Sequence, residues 1–374
     1  MQLLSDRIEL PTPNTDLAYC RETLSGGSRS FWVASHLLPS RLRNDAAGLY
    51  AFCREADDLI DEGINPQEGL QQLQFRLDAI YAQQPMPYTV DRVMSRIVHR
   101  HTLPRRLLDA LLEGFAWDAS GKRYETLSDV FAYSARVAGV IGVMMTIIMG
   151  VRDRQVLARA ADLGVAMQLT NIARDVGEDA RAGRIYLPQQ WLREAGIDTD
   201  QLLTKPEFSL RLRQVIDRLL GEAATLYARA ESGIPGLPAS ARPGIYAARL
   251  LYAEIGNALK QLNCNSIDHR AMIGAGGKAR LIIQSMRWVG LTAPAIRDPV
   301  LVVCSFLIES VCAAPKPESS QSIFQDSPFH RFYRRLIWML DLFAALDEHD
   351  ANKQEQSRPE LVATGGQPRL DAAS

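Results

Sequence analysis

Apolar residues recur at spacings of three and four along most of this chain, as far as about residue 288, and this repeat constrains its fold more than any other feature. Such spacing puts apolar side chains on one face of an α-helix, whereas the period-two alternation of a strand is scarce. Pro and Gly mark the breaks between helices, at Pro39, residues 63–66, residues 85–87, Pro104, Pro188 and residues 233–243. The sequence therefore predicts an all-α protein.

Long helices without an internal repeat predict a single helical bundle around a central cavity. We assign residues 1–295 to this bundle and residues 296–374 to a carboxy-terminal extension. The extension is expected to hold an apolar helix, a polar linker at 313–328, an amphipathic helix at 330–346 and a disordered tail. For the amphipathic helix, packing on the bundle and binding to a membrane surface are both open.

Charge and cysteine usage exclude several classes of protein. The chain has 42 basic and 43 acidic residues, so no net field attracts nucleic acid. Its five cysteines are widely spaced and form no CxxC pair, which fits a reducing cytoplasm. The first residues lack the pattern of a signal peptide, and the longest apolar stretches, 137–151 and 299–312, are shorter than the ~20 residues that span a bilayer. We expect a cytoplasmic protein, with peripheral contact at the inner face of the membrane left open.

Two helical segments each carry an acidic stripe on an otherwise apolar surface. The first stripe repeats at spacings of four, three and four and consists of Tyr50, Arg54, Asp57 and Asp61. The second repeats at three, four and four and consists of Gln168, Asn171, Asp175 and Asp179. Residues at these spacings share one face of a helix. Because apolar residues cover the rest of each segment, both stripes are expected to be buried.

Buried carboxylates are costly unless they are paired or bind a cation. Magnesium is a hard cation that takes a few carboxylate oxygens and bridges to phosphate, so the two stripes predict a site that grips diphosphates. The alternative is that both segments are solvated acidic faces on which Arg54 and Arg174 make surface ion pairs. Two matching stripes in one chain favour the metal site.

Two further segments have both a structural and a functional interpretation. A glycine-rich turn precedes Ser28, Arg29, Ser30 and Phe31, and such a turn either caps a helix or offers backbone N–H groups to phosphate. Arg184 lies in GRIYLP, where Pro188 ends the helix of the second stripe. Arg184 either belongs to that helix end or contacts diphosphate at the mouth of the cavity.

Five segments together resemble the phytoene and squalene synthases, which are head-to-head trans-isoprenyl diphosphate synthases, and bacterial phytoene synthases in particular. They are GSRSF, YAFCREADDLID, LEGFAWD, VAGVIGVMM and QLTNIARDVGEDARAGRIYLP. The resemblance covers about residues 16–290. It implies the isoprenoid synthase fold, with a central hydrophobic cavity and both aspartate motifs facing each other across its mouth. It also implies the condensation of two prenyl diphosphates through a cyclopropylcarbinyl diphosphate.

The resemblance assigns roles position by position. The implied ligands of two or three Mg²⁺ ions, with Mn²⁺ as an alternative, are Asp57, Asp61, Asn171, Asp175 and Asp179. The four aspartates, Tyr50 and Arg54 are the implied catalytic residues. The implied substrate contacts are Ser28, Arg29, Ser30, Phe31, Tyr50, Arg54, Gln168, Asn171, Arg174 and Tyr252, to which the functional interpretation above adds Arg184.

Several activities are compatible with this pattern. The favoured one joins two molecules of geranylgeranyl diphosphate into C40 phytoene without NADPH, the first committed step of carotenoid biosynthesis, and contact with other enzymes of that pathway is then expected. The alternative is a C30 squalene or dehydrosqualene synthase that uses farnesyl diphosphate. A terpene cyclase and a non-catalytic lipid-binding or assembly relative are further alternatives. Cavity depth decides chain length, and sequence does not give that depth.

Overall fold

A computed structural model describes residues 12–61, 65–286 and 298–315, and no strand occurs in these ranges. The first eight helices are α1 Pro13–Gly27, α2 Arg29–His36, α3 Ser40–Asp61, α4 Pro66–Tyr81, α5 Thr89–His101, α6 Arg105–Ala119, α7 Leu127–Ser134 and α8 Val140–Ile148. The others are α9 Arg154–Arg181, α10 Gln189–Glu194, α11 Thr199–Thr204, α12 Leu210–Glu231, α13 Arg242–Gln261, α14 Ala275–Met286 and α15 Ser305–Ala313. The prediction of an all-α fold is confirmed.

Local sequence sets where these helices begin. Asn65 caps α4, its side chain accepting a hydrogen bond from the backbone N–H of Gln67, and Pro66 occupies the first turn, where its missing N–H costs nothing. Asp153 caps α9 in the same way. Pro104 directly precedes α6. The predicted breaks at proline are therefore real helix boundaries.

Helix α9 is the centre of the bundle. It runs without interruption from Arg154 to Arg181 and packs against α8, α12 and α13. Most of its residues are buried around its whole circumference, which is typical of a central helix rather than a surface one. Because this helix carries the second acidic stripe, the stripe lies inside the bundle.

Two glycines allow α8 and α9 to approach closely. A Cβ atom on Gly142 would lie 2.2 Å from the carbonyl oxygen of Ala160, and one on Gly164 would lie 2.3 Å from that of Ala138. Real Cβ atoms do not come this near to backbone oxygen, so both positions require glycine. Gly142 therefore serves close helix packing, and it also lines the cavity described below.

Helices α7 and α8 are joined by a π-helical turn, Ala135–Gly139, into one continuous helix. This helix, Leu127–Ile148, is the one in the described part of the chain that is long and apolar enough to cross a membrane. It packs against α6 and α9 within the bundle. The apolar stretch 137–151 therefore lies mostly in a helix within the bundle.

The described part of the carboxy-terminal region contacts the bundle. Helix α15 packs against α6, α8 and α9. The guanidinium groups of Arg106 and Arg136 lie over the ring of Phe306, 5.5 and 5.1 Å from its centroid. The predicted boundary at residue 295, most of the linker and the predicted amphipathic helix at 330–346 lie outside the described residues, so the domain division stays a prediction.

Candidate active site

An apolar cavity of about 320 Å³ lies between α2, α3, α8, α9 and α13. Five predicted substrate contacts line it: Phe31, Tyr50, Gln168, Asn171 and Tyr252. The ring of Phe31 contacts Tyr252 at 5.0 Å and Tyr50 at 6.4 Å between centroids. One end of the cavity is therefore an aromatic and amide-lined mouth, next to the acidic stripes.

The second stripe contains a partly buried ion pair. Both carboxylate oxygens of Asp175 accept hydrogen bonds from Arg174, at 2.7 Å from Nε and 2.5 Å from Nη2. The two side chains are only 17% and 16% exposed. Arg174 and Asp175 therefore do not form the solvated surface pair of the alternative interpretation.

At this end of the cavity, the pKa of Asp179 is raised and the side-chain oxygen of Asn171 lacks a hydrogen-bond donor among the described residues. Burial, and next the charge of Asp175, raise the pKa of Asp179 to about 7, against the opposing charge of Arg184. The side-chain oxygen of Asn171 is buried and has no hydrogen-bond partner in the described part of the chain. A site with surplus negative charge and an orphaned acceptor is suited to a cation.

Asp118, at the end of α6, connects the two stripes and was not predicted as a site residue. Burial raises its pKa to about 6, while hydrogen bonds from the hydroxyls of Tyr186 (2.8 Å) and Tyr133 (2.9 Å) lower it. The charge of Asp57 also raises this pKa, and the charge of Asp118 in turn raises that of Asp179. Carboxylates from α3, α6 and α9 therefore lie within electrostatic reach of one another.

The raised pKa of Asp118 gives stability a definite pH dependence. Between its ordinary pKa of 3.8 and its folded-state pKa of about 6, the folded protein binds more protons than the unfolded chain, so stability is lost as the pH rises through this window. We expect Asp118→Asn, which cannot ionise, to raise the free energy of unfolding of the metal-free protein by about 1–3 kcal/mol at pH 8. Urea denaturation across pH 4–8 measures this gain. It should shrink towards zero near pH 4, and an equal gain at pH 5 and pH 8 would contradict the assignment.

Three arginines lie near the acidic stripes, and they differ in their exposure and in the carboxylates that they face. Arg54 is 49% exposed and pairs with Asp58 at 2.6 Å, so here the surface-pair interpretation holds. Arg184 lies close enough to Asp118 and Asp179 for its charge to lower both pKa values, which places it beside the mouth. Arg270, which sequence reasoning missed, lies 3.5 Å from Asp175 Oδ1 and 2.9 Å from Glu178 Oε1.

Gly177 explains how Arg270 reaches the second stripe. A Cβ atom at Gly177 would lie 2.7 Å from the carbonyl oxygens of both Ser266 and Ile267, and its N–H donates to the former at 3.1 Å. The loop before α14 therefore rests directly on α9. Glycine inside the acidic motif allows this contact, and the contact places Arg270 beside Asp175.

The predicted contacts before the first stripe lie where α1 meets α2. Ser28 caps α2, its hydroxyl accepting from the backbone N–H of Phe31, and the same hydroxyl shares a hydrogen bond with Tyr252 of α13. Ser30 is partly buried in the first turn of α2. The cap interpretation is correct for Ser28. The side chains of Arg29 and Asp61 lie outside the described residues.

Gly27 fixes the position of Tyr50. A Cβ atom on Gly27 would lie 2.3 Å from the hydroxyl oxygen of Tyr50, whereas nothing lies within 4 Å of one on the neighbouring Gly26. We expect Gly27→Ala to displace this hydroxyl and to lower kcat/KM for a prenyl diphosphate by about tenfold, because small misplacements at a reacting centre are costly. Gly26→Ala is the matched control and should leave steady-state kinetics unchanged. Equal effects of the two substitutions on kcat/KM would contradict the assignment of Tyr50 to the active site.

The donor set at the mouth fits a hard divalent cation. The described carboxylates and the orphaned Asn171 oxygen are all oxygen donors, which Mg²⁺ prefers. Within the described residues no three His, Cys, Asp or Glu side chains already form a cluster able to hold a metal ion by themselves. Mg²⁺ in proteins usually keeps several waters and shares its shell with substrate phosphates, so protein oxygens need to supply only part of that shell.

Comparison with known proteins decides the family. The family model described as Squalene/phytoene synthase matches residues 24–275. The chain belongs to the squalene/phytoene synthase family. The phytoene synthases of Cereibacter sphaeroides and Rhodobacter capsulatus are 46% and 45% identical to it, over 82% and 84% of this chain and 86% and 91% of theirs.

Solved structures of squalene/phytoene synthase relatives show the same fold. A dehydrosqualene synthase in complex with ligand superimposes with a TM-score of 0.68 at 30% identity, covering 74% of this chain and 97% of that one. A squalene synthase from Alicyclobacillus acidocaldarius superimposes with a TM-score of 0.61 at 24% identity, over 67% of this chain and 95% of its own. The predicted family, the isoprenoid synthase fold and the enzyme class, a prenyltransferase, are confirmed.

Proposed function

We propose that this chain joins two molecules of geranylgeranyl diphosphate head to head, through a cyclopropylcarbinyl diphosphate, and releases phytoene and diphosphate. The observation that carries this proposal is an apolar cavity whose lining includes Gln168 and Asn171, on the same helix as Asp175 and Asp179. The charge of Asp57 raises the pKa of Asp118, and that of Asp118 raises the pKa of Asp179, which supports a site shared by α3, α6 and α9. The phytoene synthases that share 36–46% of their residues with most of this chain support the C40 product.

Metal binding is assigned to Asp57, Asp61, Asn171, Asp175 and Asp179. Two or three Mg²⁺ ions, or Mn²⁺ in their place, would supply positive charge that stabilises a departing diphosphate. Arg174 and Arg270 are both engaged with Asp175, and Arg184 lies by Asp118 and Asp179. These arginines orient the carboxylates, and we expect them to turn to diphosphate oxygens once substrate is bound.

The cavity protects the carbocation that forms when diphosphate leaves the prenyl chain. A carbocation survives only where water is excluded and electron-rich groups face it. The rings of Phe31, Tyr50 and Tyr252 line the cavity next to the stripes, and each ring face contributes about 0.5–2 kcal/mol to holding a cation. Apolar residues of α8 and α9 extend this lining inward and accommodate the prenyl chain.

The remaining partners follow from this reaction. We infer that no NADPH is used, because phytoene retains the oxidation level of its precursors. The substrate and product are lipids, so the proposal includes peripheral contact of a cytoplasmic protein with the inner face of a membrane and with other carotenoid-pathway enzymes. Flotation with vesicles, with and without residues 313–374, tests the membrane contact.

The decisive experiment is product analysis with purified protein. Radiolabelled geranylgeranyl or farnesyl diphosphate is incubated with Mg²⁺, with and without NADPH, and the hydrocarbon is identified. We expect C40 phytoene from geranylgeranyl diphosphate, independent of NADPH, and no product when EDTA replaces Mg²⁺. Absence of product from both substrates would contradict catalysis and favour a lipid-binding role.

A C30 activity is the second candidate, because a dehydrosqualene synthase shares this fold at 30% identity. The same assay separates the two. A C30 hydrocarbon formed from farnesyl diphosphate in preference to the C40 product would select this alternative.

A further inference from the structure

A buried arginine lies in the wall of the cavity, near its far end. Arg159 lines the cavity, is 1% exposed, and lies among apolar residues such as Val156, Ile234 and Leu237. It lies three turns along α9 from Asn171, at the end opposite the acidic stripes. A charged residue in the wall of a hydrocarbon-binding cavity is unusual and calls for a physical explanation.

A cluster of charges holds Arg159 in place. Its Nη2 donates to the carbonyl oxygen of Pro299 at 3.1 Å and lies 3.1 Å from Asp162 Oδ2, which also accepts from Arg229 Nε at 3.1 Å. The same Pro299 carbonyl accepts from Arg229 Nη2 at 2.7 Å. Residues of α9, α12 and the segment leading to α15 therefore meet at this point, and we call Arg159, Asp162, Arg229 and Pro299 the floor cluster.

Arg159 is not needed to neutralise the floor cluster. Asp162 also pairs with Arg229, at 3.1 Å from Nε, so a second cation faces this carboxylate. In addition, Nε and Nη1 of Arg159 are buried without a hydrogen-bond partner in the described residues, although Nη1 lies 3.6 Å from Asp298 Oδ2. These donors are already shielded from water by the surrounding protein, so the side chain stays in place and fills volume at this end of the cavity. Arg159 therefore leaves less room for a prenyl chain that extends beyond it.

The depth of this floor matches one chain length. Asn171 and Arg159 are separated by about 18 Å along α9, at about 1.5 Å per residue. An extended chain advances about 1.2 Å per covalent bond, so a geranylgeranyl chain spans about 18 Å, a farnesyl chain about 13 Å and a geranylfarnesyl chain about 23 Å. A C20 chain reaches the level of Arg159, and a C15 chain stops about one helical turn short. A C25 chain would have to pass Arg159 towards Val156, which lines the cavity about one turn further along α9.

We propose that Arg159, held by the floor cluster, is the specificity-determining residue that sets the longest prenyl chain the cavity admits, and so selects a C20 diphosphate. This inference rests on the proposed function. It also assigns a role to the segment that follows residue 297, whose Pro299 carbonyl anchors both arginines of the floor.

Two substitutions move the floor in opposite directions. Arg159→Leu shortens the side chain and removes its donors, which deepens the cavity while leaving Asp162 paired with Arg229. Gly233→Ala places a Cβ atom 2.3 Å from Arg159 Cβ, which forces Arg159 to shift. Gly221→Ala is the matched control, because no atom lies within 4 Å of the added Cβ.

The test is competition among farnesyl, geranylgeranyl and geranylfarnesyl diphosphates for the full-length protein with Mg²⁺. For Arg159→Leu we expect the ratio of kcat/KM for C25 over C20 to rise about tenfold or more. For Gly233→Ala we expect the C15 over C20 ratio to rise, and for Gly221→Ala both ratios to stay at the wild-type values.

The outcomes separate this inference from the proposed function. Suppose that the wild type forms the C40 product and that Arg159→Leu folds but keeps the wild-type ratio of kcat/KM for C25 over C20. This result overturns the inference and leaves the proposed function standing. If circular dichroism shows that Arg159→Leu does not fold, an unmoved ratio in Gly233→Ala overturns it instead. A wild-type protein that consumes farnesyl but not geranylgeranyl diphosphate overturns the proposed function and the inference together.

Discussion

Asp175→Asn is expected to lower kcat/KM for the prenyl diphosphate at least a thousandfold, a loss of about 4 kcal/mol in transition-state stabilisation. Asp175 is the carboxylate in contact with both Arg174 and Arg270, and its charge raises the pKa of Asp179. The substitution keeps the shape of the side chain but removes the charge that metal binding requires. Steady-state kinetics with Mg²⁺ measure the loss.

The control for this substitution is Asp217→Asn. Asp217 is 56% exposed and pairs with Lys260 at 3.1 Å on the outer surface of α12, where an ion pair contributes little. We expect its kinetics to stay within twofold of wild type. If Asp175→Asn keeps more than a tenth of wild-type activity while folding normally, the second stripe does not bind the catalytic metal.

Gly164→Ala is expected to lower the free energy of unfolding by about 3 kcal/mol or more, because overpacking against backbone cannot be relieved by a side-chain rotation. The added Cβ atom would lie 2.3 Å from the carbonyl oxygen and 2.6 Å from the carbonyl carbon of Ala138. The helices must move apart to accept it. Guanidinium denaturation followed by circular dichroism measures the change.

Gly221→Ala serves as the comparison for helix glycines. Its added Cβ atom meets no neighbour, so lower unfolded-state entropy should stabilise the protein by about 0.5–1 kcal/mol. The opposite signs of the two substitutions are the critical result. Stabilisation by Gly164→Ala would mean that α9 and the π-helical turn before α8 are not in close contact.

Sequence spacing predicted the second stripe well because it is a property of one helix. Gln168, Asn171, Asp175 and Asp179 recur at helical spacing, and α9 is continuous through all four. The apolar residues between them correctly indicated a central helix, whereas the four stripe residues themselves are only half-buried. The same logic is less informative for Arg54, which belongs to the first stripe but is 49% exposed and pairs with Asp58.

Contacts between distant segments were not predictable from spacing. Asp118 receives its hydrogen bonds from Tyr133 and Tyr186, and neither tyrosine shares a helix with it. Arg270 reaches Asp175 only because Gly177 lets a loop rest on α9. Asp118 ends the segment LEGFAWD, one of the five that carry the family resemblance, and this is its one signal in the sequence; Arg270 has none.

The π-helical turn Ala135–Gly139 has a consequence for how this region tolerates insertion and deletion. Such a turn holds one residue more than an α-helical turn. The helices before and after it therefore face the same directions as they would in an α-helix without that residue. Tyr133 before the turn meets Asp118, and Ile141 after it lines the cavity. Deleting one residue within α8 would rotate the following residues by about 100° and turn the lining away from the cavity. Within this continuous helix, the π turn is therefore the place where the chain can lose a residue and keep both surfaces in register.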